Sequence, residues 1–374
     1  MVLFTPAVNE MVIREITEVD AQDFLTLCQT LDRETQFMML EADERTMSVE
    51  EQIETALSVE DTALQYDNRI NNTEGAVFRR YFDRVIYGNT SGFSGEYEGS
   101  LFRLAVTPVA MLNGSMERDQ WFSSSRKYAL LDSPAVVGRE AARRVMRRLG
   151  ARKVRTQQVP VVFESWTARS LLGHLAHAIS GYSLYRRASF LYGRLGQRVA
   201  SEVVDIIDDG TVVAGLGSKP FDAEGVGTRK KKIVEGGVLT SYLLDSYSAR
   251  KIGHATTGNA ARYVGTAPTV APTNLYLVPG LHTPEEIISS VREGFYVTEL
   301  MGFGLNPVTG DYSQGAAGIW IHQGELAFPV EEVTIAGNLR DMLAQIEMVG
   351  NDLRMQSPVA SPTIKVSRMT VAGT

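Results

Sequence analysis

The hydrophobic pattern changes character along the chain. Two stretches, AVFRRYFDRVIYGN (76–89) and SLFRLAVTPVAML (100–112), carry the apolar and aromatic content of strands. SPAVVGREAARRVMRRLG (133–150) reads as a helix, with Ser133 placed to cap it, Pro134 in its first turn and Gly150 to end it. SLLGHLAHAISG (170–181) reads as a second helix with an apolar face. KKKIVEGG and VLTSYLLD (230–245) predict a hairpin turning at Glu235-Gly236-Gly237, with the lysines at 230–232 as its solvated start. Before these, MVIREI (11–16) predicts a strand. Thr17 and Asp20 are candidate N-caps for AQDFLTLCQTL, and VEEQIETAL (49–57) predicts an acidic helix.

Glycine and charge sharpen this division. Residues 1–57 hold thirteen acidic side chains against three basic ones, and no glycine occurs before Gly75. All 33 glycines therefore lie in the last 300 residues, where frequent turns predict a β-rich body. One domain is seldom so asymmetric, so a boundary is expected near residue 57. The whole chain of 374 residues is 44% hydrophobic and 22% charged, which fits a soluble globular protein. Its net charge of −7 disfavours a dedicated nucleic-acid binder, because phosphate neutralisation needs a basic surface. Arginines at 139, 143, 144, 147 and 148 could form a phosphate-binding stripe, but read more simply as a solvated helix face. One cysteine, Cys28, excludes an internal disulfide and a zinc site built on several thiolates. The opening residues predict no signal peptide, and no apolar run is long enough for a membrane helix. A cytoplasmic location is expected.

Common chemical motifs are incomplete. Gly215-Leu-Gly217 and Gly302-Phe-Gly304 run into Pro220 and Pro307 and fail the dinucleotide fingerprint, and no phosphate-binding Walker loop occurs. Ser94 and Ser313 do not sit in a nucleophile elbow. His174 and His177 form the only histidine cluster. At i and i+3 on a helix they could share a metal, and a stand-alone metallopeptidase on this pair is one alternative. Catalytic zinc wants three protein ligands and a water-activating base, yet Leu175 follows His174 with no Glu, Asp or Cys within a turn. Packed histidines on an apolar helix are the simpler reading.

Longer stretches carry a family signal. They include GFSGEYEG (92–99), MERDQWFSSSR (116–126), LLGHLAHAISGYSLYRRASFL (171–191), PFDAEGVGTRKKKIVEGGVLTSYLLDSYSARKIG (220–253) and VTELMGFGLNPVTGDYSQGAAGIWIHQGELAFPVEEVTIAGNLRDML (297–343). With them the chain from about residue 58 resembles the TldD/PmbA family, and within it the PmbA (TldE) branch. Residues 12–57 instead resemble an N-terminal fragment of a GNAT acetyltransferase, without the glycine-containing loop that holds acetyl-CoA. An inactive acetyltransferase fusion is a second alternative.

The TldD/PmbA resemblance implies an α+β protein in three parts. These are an acidic fragment (1–57), a truncated α+β N-terminal-type domain (58–155) and a β-rich C-terminal domain of mixed and antiparallel sheets with helices (156–374). It also implies a cytoplasmic heterodimeric metalloprotease. In the TldD branch an HExxxH helix carries zinc; here His174 stands at the first histidine, Leu175 at the glutamate and Ile179 at the second histidine. The resemblance thus implies a chain with no catalytic residues and no metal of its own. Zinc would be carried by a TldD-like partner, and the joint substrate would be unfolded or leader-bearing peptides, with no nucleic acid and no membrane. The glycine-dense stretch with Gly310, Asp311, Tyr312, Ser313, Gly315 and Gly318 is the candidate peptide contact, by strand addition or as a chamber wall. A tight turn cluster within a barrel or sandwich is the competing reading.

Overall fold

The structure, a computed structural model, describes residues 2–7, 10–15, 42–263 and 265–373. A short hairpin pairs β1 (Val2–Ala7) with β2 (Glu10–Glu15), matching the strand expected over 11–16. The helix expected over 21–31, with its caps Thr17 and Asp20, lies outside the described residues. The acidic helix is present and longer than its motif. As α1 (Val49–Leu64) it starts in a capping box: the Glu51 N–H donates to Ser48 Oγ at 3.1 Å and the Ser48 N–H to the Glu51 carboxylate at 2.8 Å. It runs unbroken through residue 57, where the composition shifts.

The next layer is a sheet built on one long hairpin. Strands β3 (Ile70–Gly88) and β4 (Ser94–Leu112) pair from Ile70–Ala110 to Gly88–Ser94. β5 (Ser115–Arg118) and β6 (Trp121–Ser125) join the other side of β4. Alternate β4 residues Leu104, Val106 and Ala110 face α1 and α2 (Pro134–Met146), packing on Val59, Ala63, Val137, Ala141 and Val145. Pro134 occupies the first turn of α2 as expected, whereas Ser133 sits at the N-cap without a side-chain hydrogen bond. Gly138 sets the spacing of the two helices. A Cβ there would fall 2.6 Å from the Val59 carbonyl oxygen, so only glycine lets α1 and α2 approach this closely.

The C-terminal half is a closed sheet capped by a second one. β7 (Gln157–Phe163) runs parallel to β14 (Glu293–Met301) and antiparallel to β19 (Ile364–Ala372). β15 (Asp311–His322) and β16 (Glu325–Asn338) continue from β14. Residues 334–336 of β16 pair back onto β19, closing the ring, and β17 (Ile346–Val349) adds to β19. The second sheet orders β10 (Val238–Leu239), β9 (Lys230–Glu235), β8 (Ile206–Asp209), β13 (Leu275–Leu277) and β18 (Val359–Ala360). Its β9–β10 hairpin turns where expected, with Gly236 and Gly237 both at positive φ between the paired Glu235 and Val238. A ribbon of β11 (Ala260–Ala261) and β12 (Thr269–Val270) lies outside both sheets.

Helix α3 (Ser165–Ala178) follows β7 directly and is sunk between the two sheets, with Ala168, Leu171, Leu175 and Ala178 fully buried. Short helices α4 (Gly181–Tyr185), α5 (Ser246–Ile252), α6 (Pro284–Ser289) and α7 (Leu339–Ala344) fill the connections. One apolar core runs from α3 through Phe163, Ile233, Leu275 and Phe295 to Trp320 and Val366. The α+β architecture expected from the sequence is therefore present.

Candidate functional site

Helix α3 carries the histidines, and its burial decides what they can do. His174 is half-buried, its ring edge-on to Tyr312 of β15 at 5.9 Å between centroids. Its Nε2 is buried with no hydrogen-bond partner among the described residues. Burial, with the neighbouring His177, pushes the His174 pKa below its ordinary value, which keeps the ring neutral. His177 is exposed one turn on. Leu175 and Ile179 are completely buried, and Ile179 is the C-cap, where the helix ends. The positions expected to correspond to a zinc helix's glutamate and second histidine thus offer aliphatic carbon to the core. Among the described residues no three His, Cys, Asp or Glu side chains gather to hold a metal ion. The donor set on α3 does not fit zinc.

The structure brings the glycine-dense stretch to the same place, through Tyr312. The Tyr312 hydroxyl donates to Gln314 Oε1 at 2.8 Å, and Gln314 Nε2 donates to the Gly302 carbonyl at 2.7 Å. Ser313 is exposed, and its N–H donates to the Gly304 carbonyl at 2.7 Å. Asp311 is exposed as well; hydrogen bonds from Thr309 Oγ1 and Asn338 Nδ2 hold its carboxyl below the usual pKa. Gly310, at positive φ, packs against Asn338. Gly315 and Gly318 lie deeper, paired on one edge with β16 and on the other with β14. β15 therefore has no free edge for strand addition at Gly315 or Gly318, and these two glycines belong to a closed sheet. Gly318 permits that closure: a Cβ there would fall 2.0 Å from the Tyr296 carbonyl oxygen.

Two expectations about charge need correction. The arginines of α2 do not form a solvated face. Arg139 and Arg143 are exposed, but Arg144 is only 2% exposed, and Arg147 and Arg148 are largely covered. They turn inward because Glu164, at the N-cap of α3, needs them. Its carboxylate accepts from Arg144 Nη1 at 2.9 Å and from Arg147 Nη1 and Nη2 at 2.9 and 3.0 Å. Burial disfavours this carboxylate, yet the two guanidinium groups prevail and hold its pKa down to about 2. Arg148 pairs with Glu117 and Glu299. The β14 register shift at Val297/Glu299 leaves nearby carbonyls to complete the joint: Thr298 accepts from Arg144, and Val297 from the Glu164 N–H and Thr167 Oγ1.

Nor is the lysine run simply solvated. Lys230 and Lys232 are exposed, but Lys231 is buried and pairs at 3.0 Å with Asp208, which is wholly inaccessible. Asn259 Nδ2, the Thr273 N–H and Thr273 Oγ1 also donate to Asp208. Both networks join residues far apart in sequence. The one available signal was an arginine repeat at i, i+3 and i+4 (144, 147, 148), with no indication of its acidic partners.

Comparisons place these features in context. Residues 156–373 match the PmbA/TldA metallopeptidase C-terminal domain, and residues 42–149 the central domain. Residues 42–57, grouped above with an acetyltransferase-like opening, fall inside the central-domain match. The chain is 40% identical over 327 residues to Metalloprotease PmbA of Escherichia coli O157:H7, covering 87% of this chain and 71% of that protein. It is 26% identical over 353 residues to a Metalloprotease TldD homolog of Haemophilus influenzae, covering 88% and 73%. The crystal structure of TldE from Thermococcus kodakarensis has the same fold, with a TM-score of 0.80 at 22% identity over 97% of this chain and 86% of that one. No helix among the described residues is long and apolar enough to cross a membrane.

Proposed function

The chain belongs to the PmbA/TldD metallopeptidase family, on its PmbA side, and we propose that within it this protein is a non-catalytic subunit. In this reading it pairs in the cytoplasm with a TldD-like zinc metalloprotease chain and acts with it on unfolded or leader-bearing peptides. The zinc ion belongs to the partner. One observation carries the reading: Leu175 and Ile179, where the zinc helix needs a base and a ligand, are fully buried apolar side chains beside a neutral, half-buried His174. The similarity to both PmbA-type and TldD-type proteins supports a division of labour between two related chains. Peptide contact at the glycine-dense stretch falls to its exposed rim, Asp311 and Ser313, while Gly310, Tyr312, Gly315 and Gly318 shape the wall behind it.

Co-expression with the TldD-like chain from the same source tests this reading. The expected product is a complex with zinc stoichiometric to the partner, cleaving an unfolded peptide only when both chains are present and no chelator is added. His174→Ala in this chain is expected to leave cleavage unchanged. Zinc bound by this chain alone, with cleavage lost in His174→Ala, would overturn the proposal in favour of a metallopeptidase using His174 and His177.

A further inference from the structure

The face of β4 and β6 turned away from α1 and α2 meets the start of α3 across a cleft of about 530 Å³. Arg103 of β4 stands directly opposite Ser124 of β6, and its guanidinium lies 3.9 Å from the centroid of the Phe122 ring. From the other wall, Arg169 of α3 lies over Trp166 at 3.2 Å and donates to Ser357 Oγ at 3.1 Å. The Phe122 and Trp166 rings themselves meet edge to face at 4.6 Å. Each guanidinium is thus fixed on an aromatic platform, and the platforms are locked together. Arg126 enters at the rim, held by the carbonyls of Gly215, Leu216 and Ser218.

The two stacked guanidinium groups have no acidic partner among the described residues. Among the described residues neither Arg103 nor Arg169 has a carboxylate within ion-pair distance; Asp83 also lines the cleft, and its charge acts on Arg126. Arg79 faces Arg103 directly across β3–β4, a like-charge pair that opposes folding. Burial first, and the neighbouring Arg103 second, lower the Arg169 pKa to about 10. A second observation is independent of charge. Ser124, only 8% exposed, lines the cleft with its hydroxyl buried and without a hydrogen-bond partner. A buried hydroxyl left unpaired is costly unless a ligand completes it.

We propose that this cleft is a carboxylate-binding pocket in which Arg103, Arg169 and Ser124 anchor a peptide through an acidic group. The wall chemistry favours a carboxylate on an organic body over a free inorganic anion, because Phe122, Trp166 and Leu216 supply apolar surface around the guanidinium groups. The inference rests on the peptide-handling role above. Its test uses binding to this chain alone, so its failure is separable from failure of joint turnover.

The probes are a short peptide with a free C-terminus, its C-terminal amide, the amide with one internal Glu, and inorganic phosphate, each followed by tryptophan fluorescence, since Trp166 forms part of the wall. Binding of the free acid or the Glu-containing amide is expected, and which of the two binds identifies the source of the carboxylate. The uncharged amide binds weakly. Arg169→Met and Arg103→Met should each weaken binding about 10- to 100-fold, as for loss of a charge-assisted hydrogen bond. Arg139→Met, at an exposed site on α2, should not. Ser124→Ala, which removes only the unpaired hydroxyl, should keep the fold and weaken binding. Equal binding of acid and uncharged amide, binding of phosphate alone, or affinity indifferent to all three variants would overturn the proposal.

Discussion

Glu164 allows a quantitative test of how the two layers are joined. It stands at the N-cap position of α3, its carboxylate clamped by Arg144 of α2 and by Arg147 at that helix's C-cap, so one carboxylate holds the histidine helix to the N-terminal layer. Its pKa falls from 4.5 to about 2 on folding, a differential interaction of about 3 kcal/mol. Glu164→Gln keeps the shape but leaves Arg144 buried without its closest partner, for which breaking a buried pair predicts a loss of about 3–5 kcal/mol. The two routes agree. Urea denaturation at pH 7, followed by fluorescence, should show that loss. Because the folded pKa is depressed, the wild-type advantage is fully present above about pH 4.5 and declines as pH falls toward about 2. The gap between wild type and Glu164→Gln should therefore narrow on acidification. A variant within about 0.5 kcal/mol of wild type at pH 7, the usual range for surface substitutions, would refute this account of the joint, as would a gap that widens in acid.

Other perturbations read the remaining sites. Gly318→Ala places a methyl against the Tyr296 carbonyl and should prevent a well-folded C-terminal half, whereas Gly315→Ala meets Met301 at ordinary contact distances of 3.4 Å and beyond; circular dichroism and thermal melting compare them. His174→Leu removes a buried unpaired nitrogen. Wild-type stability should fall as pH drops below about 6.5, because the unfolded histidine takes up a proton the folded one resists, and the variant's melting profile should lose that dependence. Leu175→Glu, which restores the zinc motif's letter, should not recruit zinc by metal analysis. It should instead destabilise the fold by roughly 4 kcal/mol or more at pH 7, a loss relieved in acid as the buried carboxyl is protonated. Asp208→Asn leaves Lys231 buried without its ion-pair partner and should cost about 3–5 kcal/mol in urea unfolding, although Lys231 sits in a run of charges that looks solvated.

What the sequence conveyed, and what it did not, divides along physical lines. Local geometry was legible: Gly236 and Gly237 turn the β9–β10 hairpin because both adopt positive φ, and Pro134 starts α2 because its missing N–H costs nothing there. Charge was misread wherever its partner was distant. Arg144 and Arg147 meet Glu164, 20 and 17 residues away, and Lys231 meets Asp208 across a strand pair, so helical or strand spacing alone suggested solvent. The glycine-dense stretch was ambiguous for a related reason: only pairing on both edges of β15 distinguishes a closed sheet from a receptive one. The histidine helix combines both lessons. Its letters suggested a missing zinc site, but they could not say whether metal chemistry was one substitution away. Burial answers that, because Leu175 and Ile179 are part of the core that holds α3 between its two sheets. An acidic side chain at 175 would have to pull solvent or a metal into that core, where His174 is neutral and turned toward Tyr312 and His177 is exposed one turn on. The helix is a packing element, which is why the proposed function assigns the metal chemistry to another chain.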